Sequence, residues 1–348
     1  MKLILIYITV AIFAISSCID SPENNNAAIN NEGNLENNNL FDNQKTYKLE
    51  GPKTIRIYGE VKEETTISLE DLTLRSVVVK EVLPENGERS FKGTFRYDGY
   101  SLEDILVNIE LEKESGFNPL TDLYIKVHSN DGIYAVLSWA EIFFPVHHHL
   151  QLIATGISRH VPYKTPEVKY PLPEKSKLVI SNDLITCRNI SEPVGIEICS
   201  FKADFPERQM EELFWPTLTI KGFTGDSIIL EKLPSSLPDR ESDMIFYGRG
   251  RGIHDVRPFN GCYLSELLNL YYQPSCESIR TRLVIASSPD AYRSVFSLSE
   301  IINRNDRLET LIIDEDNYER AGQFSLVVSG DFFSDRAMKA LWKLELYK

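Results

Sequence analysis

The sequence predicts a mixed α+β protein, with mixed β-sheets and short helices arranged as two compact tandem domains. Short alternating or β-rich apolar runs read as strands, Ile55 to Val61 and Leu218 to Gly222 among them. Between them lie short helical patterns with one apolar face, such as Leu102 to Leu106 and Leu264 to Leu268. The same landmarks then recur in one order in the second half of a 348-residue chain, which is long enough for two domains of ordinary size.

The first eighteen residues carry one Lys, an apolar run to Ile15 and the small residues Ser16 and Ser17 before Cys18. That pattern describes a secretory signal, too short for a comfortable transmembrane helix. The Ile15-Ser16-Ser17-Cys18 ending resembles a bacterial lipobox, which implies Cys18 as the lipidated (palmitate-bearing) first residue of a mature lipoprotein. Residues 19–51 are Asn-rich and poor in large apolar groups, so they are expected to be a disordered tether spanning roughly 30 Å. The expected location is the bacterial cell envelope, on the periplasmic or surface side of a membrane.

The first repeat is expected over 52–200. It opens on the Ile55 to Val61 strand and the Ile67-Ser68-Leu69-Glu70-Asp71-Leu72 element, which correspond to Leu218 to Gly222 and Ile228 to Leu233 in a second repeat over 215–348. Next come the Gly99-Tyr100-Ser101-Leu102 and Gly261-Cys262-Tyr263-Leu264 helices, with acids in the first turn where the helix dipole favours them. Strands at Leu123 to Val127 and Arg282 to Ile285 lead to Asp131 and Asp290, each followed seven residues on by Ser and three further by Glu. Ser138-x-x-Glu141 and Ser297-x-x-Glu300 are capping boxes, in which the hydroxyl accepts a helix N–H and the Glu reaches back. Each half then shows a strand, an Asp-x4-Arg turn (Asp183 to Arg188, Asp331 to Arg336) and a last strand. The shared Asp and Arg read as a scaffold lock. Residues 201–214 mix charges with Pro206 and are expected to be a linker.

The ordered landmarks resemble those of the sulfite-oxidase-type molybdopterin-binding domain, in a compact and tandemly duplicated form. Ile57-Tyr58-Gly59-Glu60-Val61, the Ser-Leu-Glu-Asp-Leu element, Asp131-Gly132, Arg188 and Arg336 carry the resemblance, and Lys339 extends it in the second copy alone. Catalytic members hold molybdenum through a Cys upstream of the Gly-x-x-Leu helix. Neither Ser90 to Tyr97 nor Met244 to Arg251 contains one. A soft metal needs a soft ligand, so the resemblance implies a fold kept and a metal site lost. The expectation is a non-catalytic binding or assembly module with no cofactor and no catalytic residue. The alternative is an oxidoreductase that retains a molybdopterin-type cofactor.

A net charge of −14 leaves no basic stripe for phosphates, so no nucleic-acid partner is expected. The candidate binding stretch is Gly248 to Arg257, where glycines allow close backbone approach and Arg249, Arg251 and Arg257 are forked donors for an anionic small ligand. Arg336 and Lys339 complete that set. The other expected partners are the membrane, through the lipid, and an envelope protein. His147-His148-His149 reads as a surface loop and Asp314-Glu315-Asp316 as a solvated turn, with no metal site at either. Cys187, Cys199, Cys262 and Cys276 allow three pairings, of which 187–199 with 262–276 is the sequence-local one, or free thiols. No hydrolase motif is present.

Overall fold

Alternation of apolar and polar residues dictates a strand-dominated structure. It is a computed structural model, described here for residues 46–159, 171–202, 214–249, 252–314 and 322–347. Cys18, nearly all of the expected tether and Arg251 lie outside the described residues, as do the side chains of His254, Asp255 and Arg257. Strand accounts for 49% and helix for 14%, in four small sheets set in a propeller-like ring. The expectation of a mixed α+β protein in two tandem domains is therefore corrected. The protein is mostly β, and Leu40 to Lys348 form one unit.

In chain order the first half contains β1 (Tyr47–Lys48), β2 (Thr54–Gly59), β3 (Thr65–Ser68), β4 (Arg75–Glu85), β5 (Glu88–Ser101) and α1 (Leu102–Leu106). It continues with β6 (Leu123–Ser129), β7 (Tyr134–Ser138), α2 (Trp139–Phe143), β8 (Gln151–Arg159), β9 (Lys177–Ile180) and β10 (Pro193–Ser200). The second half contains β11 (Leu218–Lys221), β12 (Ser227–Leu230), β13 (Arg240–Gly248), β14 (Gly252–Tyr263), α3 (Leu264–Tyr271) and α4 (Cys276–Thr281). It ends with β15 (Leu283–Ser287), β16 (Arg293–Ser297), α5 (Leu298–Ile302), β17 (Thr310–Asp314), β18 (Phe324–Val328) and β19 (Lys343–Tyr347).

One sheet of each half has the same order, β3-β2-β10-β6-β7 and β12-β11-β19-β15-β16, with the parallel pairs β2/β10 and β11/β19 in the same place. The other sheets also correspond. β4, β5 and β8 are neighbours with β9 on β8, as β13, β14, β17 and β18 are neighbours in turn. Even the irregularities match, since the β4/β5 register shifts between Glu81 and Val82 and the β13/β14 register between Phe246 and Tyr247. Gly99 and Gly261 mark one shared close approach. A Cβ there would lie 2.2 Å from the Ile153 carbonyl oxygen and 2.0 Å from that of Ile312, so no larger residue fits.

What makes the halves one body is a reciprocal set of contacts near the two Asp-x4-Arg turns. The Phe332 N–H donates to Phe144 O (2.7 Å) and Val146 N–H to Gly330 O (3.0 Å). In mirror fashion Leu184 N–H donates to Asn303 O (2.6 Å) and Asn305 N–H to Asn182 O (3.0 Å). Each turn is thus gripped by the segment after the other half's helix, as in a two-fold interface within one chain. Val136 and Phe201 of the first half share a core with Leu283, Ile285 and Val295 of the second. Buried Asp122 pairs with Arg293 across the halves (3.1 Å). Phe201, expected to open a linker, is therefore core, and 203–213 lie outside the described residues.

A Cys187–Cys276 disulfide, which joins the Asp183–Arg188 turn to α4, replaces the sequence-local pairing. Cys199 and Cys262 are free thiols. Ile228 to Leu233, expected as a short amphipathic element, begins as strand β12, because Leu218 to Lys221 pairs with it residue by residue.

Candidate functional site

The two Asp-x4-Arg turns are assembled from the residues upward in the same way. Ser138 and Ser297 cap α2 and α5, and the Glu141 and Glu300 carboxylates accept the cap N–H at 2.8 Å in both copies. Each Glu also meets the turn's Arg. Arg188 donates through Nε and Nη2 to Asp183 (2.9 and 2.7 Å) and through Nη1 to Glu141 (2.9 Å). Arg336 grips Asp331 (2.7 Å twice) and Glu300 (2.8 Å) in the same geometry.

The two clusters are wired together. Arg188 Nη1 donates to Ser297 Oγ (3.0 Å), and Ser299 Oγ donates to Asp183 (3.0 Å). The Arg188 and Arg336 side chains are 0% and 1% exposed, and their carboxylate partners no more than 2%. Four buried carboxylates face two guanidinium groups. Burial, opposed by Arg188 and reinforced by Glu300, pushes the Glu141 carboxyl up to about 7. Burial also raises Asp331, against the pull of Arg336.

These contacts decide what the other predicted residues can do. Asp131 and Asp290 cap their own turns, accepting from Ile133 N–H (3.2 Å) and Tyr292 N–H (3.0 Å). Arg336, expected at a ligand site, is fully occupied inside the protein, whereas Lys339 three residues on is exposed. Gly248 pairs with Gly252 at the end of the β13/β14 hairpin, and Gly252 to Arg257 belong to β14. Arg249 lies there 60% exposed, paired with Asp335 (2.8 Å) and stacked over the Phe333 ring (4.5 Å). Arg257 occupies β14 opposite Met244. The structure therefore brings Arg249 to the Asp331–Arg336 turn, where Arg336 spends its donors on Asp331 and Glu300.

What lies beside Arg249 is a feature the sequence analysis missed. A cavity of about 640 Å³ opens between the β13 edge, the end of β18 and the second turn, walled by Val146, Met244, Phe246, Tyr247, Val328 and Phe332. Tyr247 stacks on Phe333 and meets Phe332 edge-on. The sequence signal was present in Phe332-Phe333, two adjacent aromatics in a polar turn that has Leu184-Ile185 at the same place in the first copy.

In the first half the same place is shut. Thr186 N–H donates to Val82 O (2.8 Å), and Val82 N–H to Thr186 Oγ1 (3.3 Å), zipping the β4 edge onto the turn. The counterparts are Tyr247, at the matching bulge, and Ser334, three residues after its turn's Asp. Among the described residues no hydrogen bond joins them.

Four cysteines lie among the described residues, two of them paired. Cys187 is in the disulfide. Cys262 is 2% exposed, and burial, with Glu266 and Asp314 nearby, pushes its thiol up to about 12. Arg188 and Arg336 point into protein carboxylates. Among the described residues no group of three or more His, Cys, Asp or Glu is arranged to hold a metal ion, and no helix is long and apolar enough to cross a membrane. His148 and His149 pair with Glu103 (3.1 and 3.4 Å) in the loop before β8. Asp314 accepts from Leu233 N–H (2.8 Å). No protein-family model matches the chain, and no curated protein is similar to it in sequence.

Proposed function

We propose that this protein is a non-catalytic binding or assembly module of the bacterial cell envelope, tethered through a lipid on Cys18, with its binding site in the second half. The observation that carries the reading is the open apolar cavity beside the second Asp-x4-Arg turn, at a place that the first copy closes with its own backbone. A site meant for binding needs concave apolar walls and a few polar groups beside them; Asp243, Ser329 and Ser334 provide the latter. The Cys187–Cys276 bond accords with export to an oxidising compartment.

A second reading, a molybdopterin-dependent oxidoreductase, draws on the order of motifs alone. Elemental and pterin analysis of the purified full-length protein separates the two. The binding-module reading expects substoichiometric molybdenum and no fluorescent pterin after oxidation. Stoichiometric molybdenum overturns it. Labelling of cells with a palmitate analogue tests the anchor, with incorporation expected in the wild type and lost in Cys18→Ser.

A further inference from the structure

We infer that the cavity in the second half is an acceptor slot for an extended peptide segment of a partner polypeptide, which adds as a strand to the open edge of β13. The inference rests on the binding-module reading and names the class of ligand for that site.

Three observations lead to it. First, among the described residues β13 pairs with β14 alone and so forms the edge of its sheet. By the alternation of an antiparallel pair, Asp243, Ile245 and Tyr247 turn their N–H and C=O groups to the open side. The corresponding Val82 spends both groups on the turn through Thr186. The first copy thus fills with its own turn the edge groups that the second copy leaves unmade.

Second, the middle of the edge lacks the usual protection. Exposed edges in soluble proteins carry Lys or Pro, or are covered. On β4 the outward position two residues before Val82 is Lys80, whereas on β13 the equivalent position is Ile245. Ile245 is 65% exposed, and Ile253 and Val256 across the hairpin are both 66% exposed. With Phe332 at the mouth they form an apolar strip that leads into the cavity.

Third, the charge around the slot is uneven. Glu241 and Asp243 are exposed at one end of β13, and at the other end Arg249 is already matched by Asp335. The occupant these features select is an extended segment with alternate apolar or aromatic side chains and a basic residue beside Asp243. Backbone pairing supplies the affinity and the aromatic-lined cavity the side-chain preference, as in other strand-addition complexes.

The test uses the full chain and a fluorescent hexapeptide, Lys-Thr-Val-Thr-Phe-Thr. Anisotropy should saturate with the wild type. The same peptide methylated on alternate amide nitrogens keeps its side chains but loses strand pairing, and should bind at least about tenfold more weakly. Tyr247→Pro removes one edge donor together with a ring of the cavity wall, and should weaken binding at least to a similar degree. Phe332→Ser should weaken it through the cavity wall, and Glu in place of the peptide's Lys through charge. Near-ultraviolet circular dichroism confirms that each variant is folded.

Absence of saturable binding to the wild type overturns the inference, as does equal binding of the methylated peptide. So does sedimentation with phosphatidylglycerol vesicles that Phe332→Ser abolishes, or a dimer that Ile245→Lys dissolves. A molybdenum-free protein that ignores the peptide rejects the strand acceptor alone, whereas stoichiometric molybdenum rejects the binding module beneath it.

Discussion

At the scale of single residues the two buried arginines do the most to hold the fold. Each donates to two carboxylates in a site closed to water, where no counterion can replace it. Removing one leaves its carboxylates buried and uncompensated, so Arg188→Ala and Arg336→Ala should each cost about 3–5 kcal/mol in urea unfolding. A loss below about 1 kcal/mol in either would show that the cluster relaxes or admits water. The same cluster sets a pH dependence. Glu141 is pushed up to about 7 from 4.5, so the folded state holds its proton more tightly than the unfolded chain. The contribution is complete below pH 4.5 and is lost as pH rises towards 7, on the order of 3 kcal/mol. The Glu141 carboxyl carbon, followed by NMR, should titrate near neutrality; titration at an ordinary carboxylate value refutes it. At Ala291 the second copy holds a non-glycine residue at φ +66° where the first has Gly132 at +83°, which accounts for the Asp-Gly that the second copy lacks. Asp290 caps this turn as Asp131 caps the first.

At the scale of elements, much of the structure was legible. The Ser-x-x-Glu spacing located the starts of α2 and α5, because capping is a local interaction between residues three apart. Alternation found β2, β6, β11 and β19, and the Asp-x4-Arg spacing found both locks. What local pattern could not reach was each element's second allegiance. Glu141 looked fully explained as a cap, yet it also receives Arg188 from a turn 47 residues away. Arg336 looked like a free donor because nothing near it in sequence announces Glu300. The cavity was invisible for the same reason, since its walls come from β13, β18, the second turn and Val146 of the other half. The double duty of the caps gives an asymmetric expectation. Ser138 serves α2, whereas Ser297 caps α5 and also accepts from Arg188 across the halves. Ser138→Ala should cost about 1 kcal/mol, the usual price of a lost cap, and Ser297→Ala clearly more, because a buried guanidinium N–H is then left without that acceptor. Equal costs in paired denaturation curves would mean the cross-half bond carries no weight.

At the scale of the whole molecule, duplication explains both the shared topology and the error of expecting two domains. A duplicated unit with an apolar face and an exposed turn meets its own copy in a self-complementary way, so the reciprocal contacts of Phe332, Val146, Leu184 and Asn305 arise together. Once made, they bury polar groups that neither half could leave without partners. The Cys187–Cys276 bond fastens this arrangement across a separation of 89 residues, and it joins the first turn to α4 beside the core shared by both halves. Closing a loop of that length lowers unfolded-state entropy enough to stabilise the folded protein by about 4–5 kcal/mol on the chain-entropy view. Because the bond lies across the seam, its loss acts on docking of the halves as well as on the unfolded chain. Cys187→Ser with Cys276→Ser should therefore lower the thermal midpoint by several degrees. It should also speed hydrogen exchange at the amides of Leu184, Asn305 and Phe332 before those of β2 or β11. If exchange instead rises uniformly, or not at all along the seam, the bond is a staple on a fold that is already closed, and the two turns hold the halves together unaided.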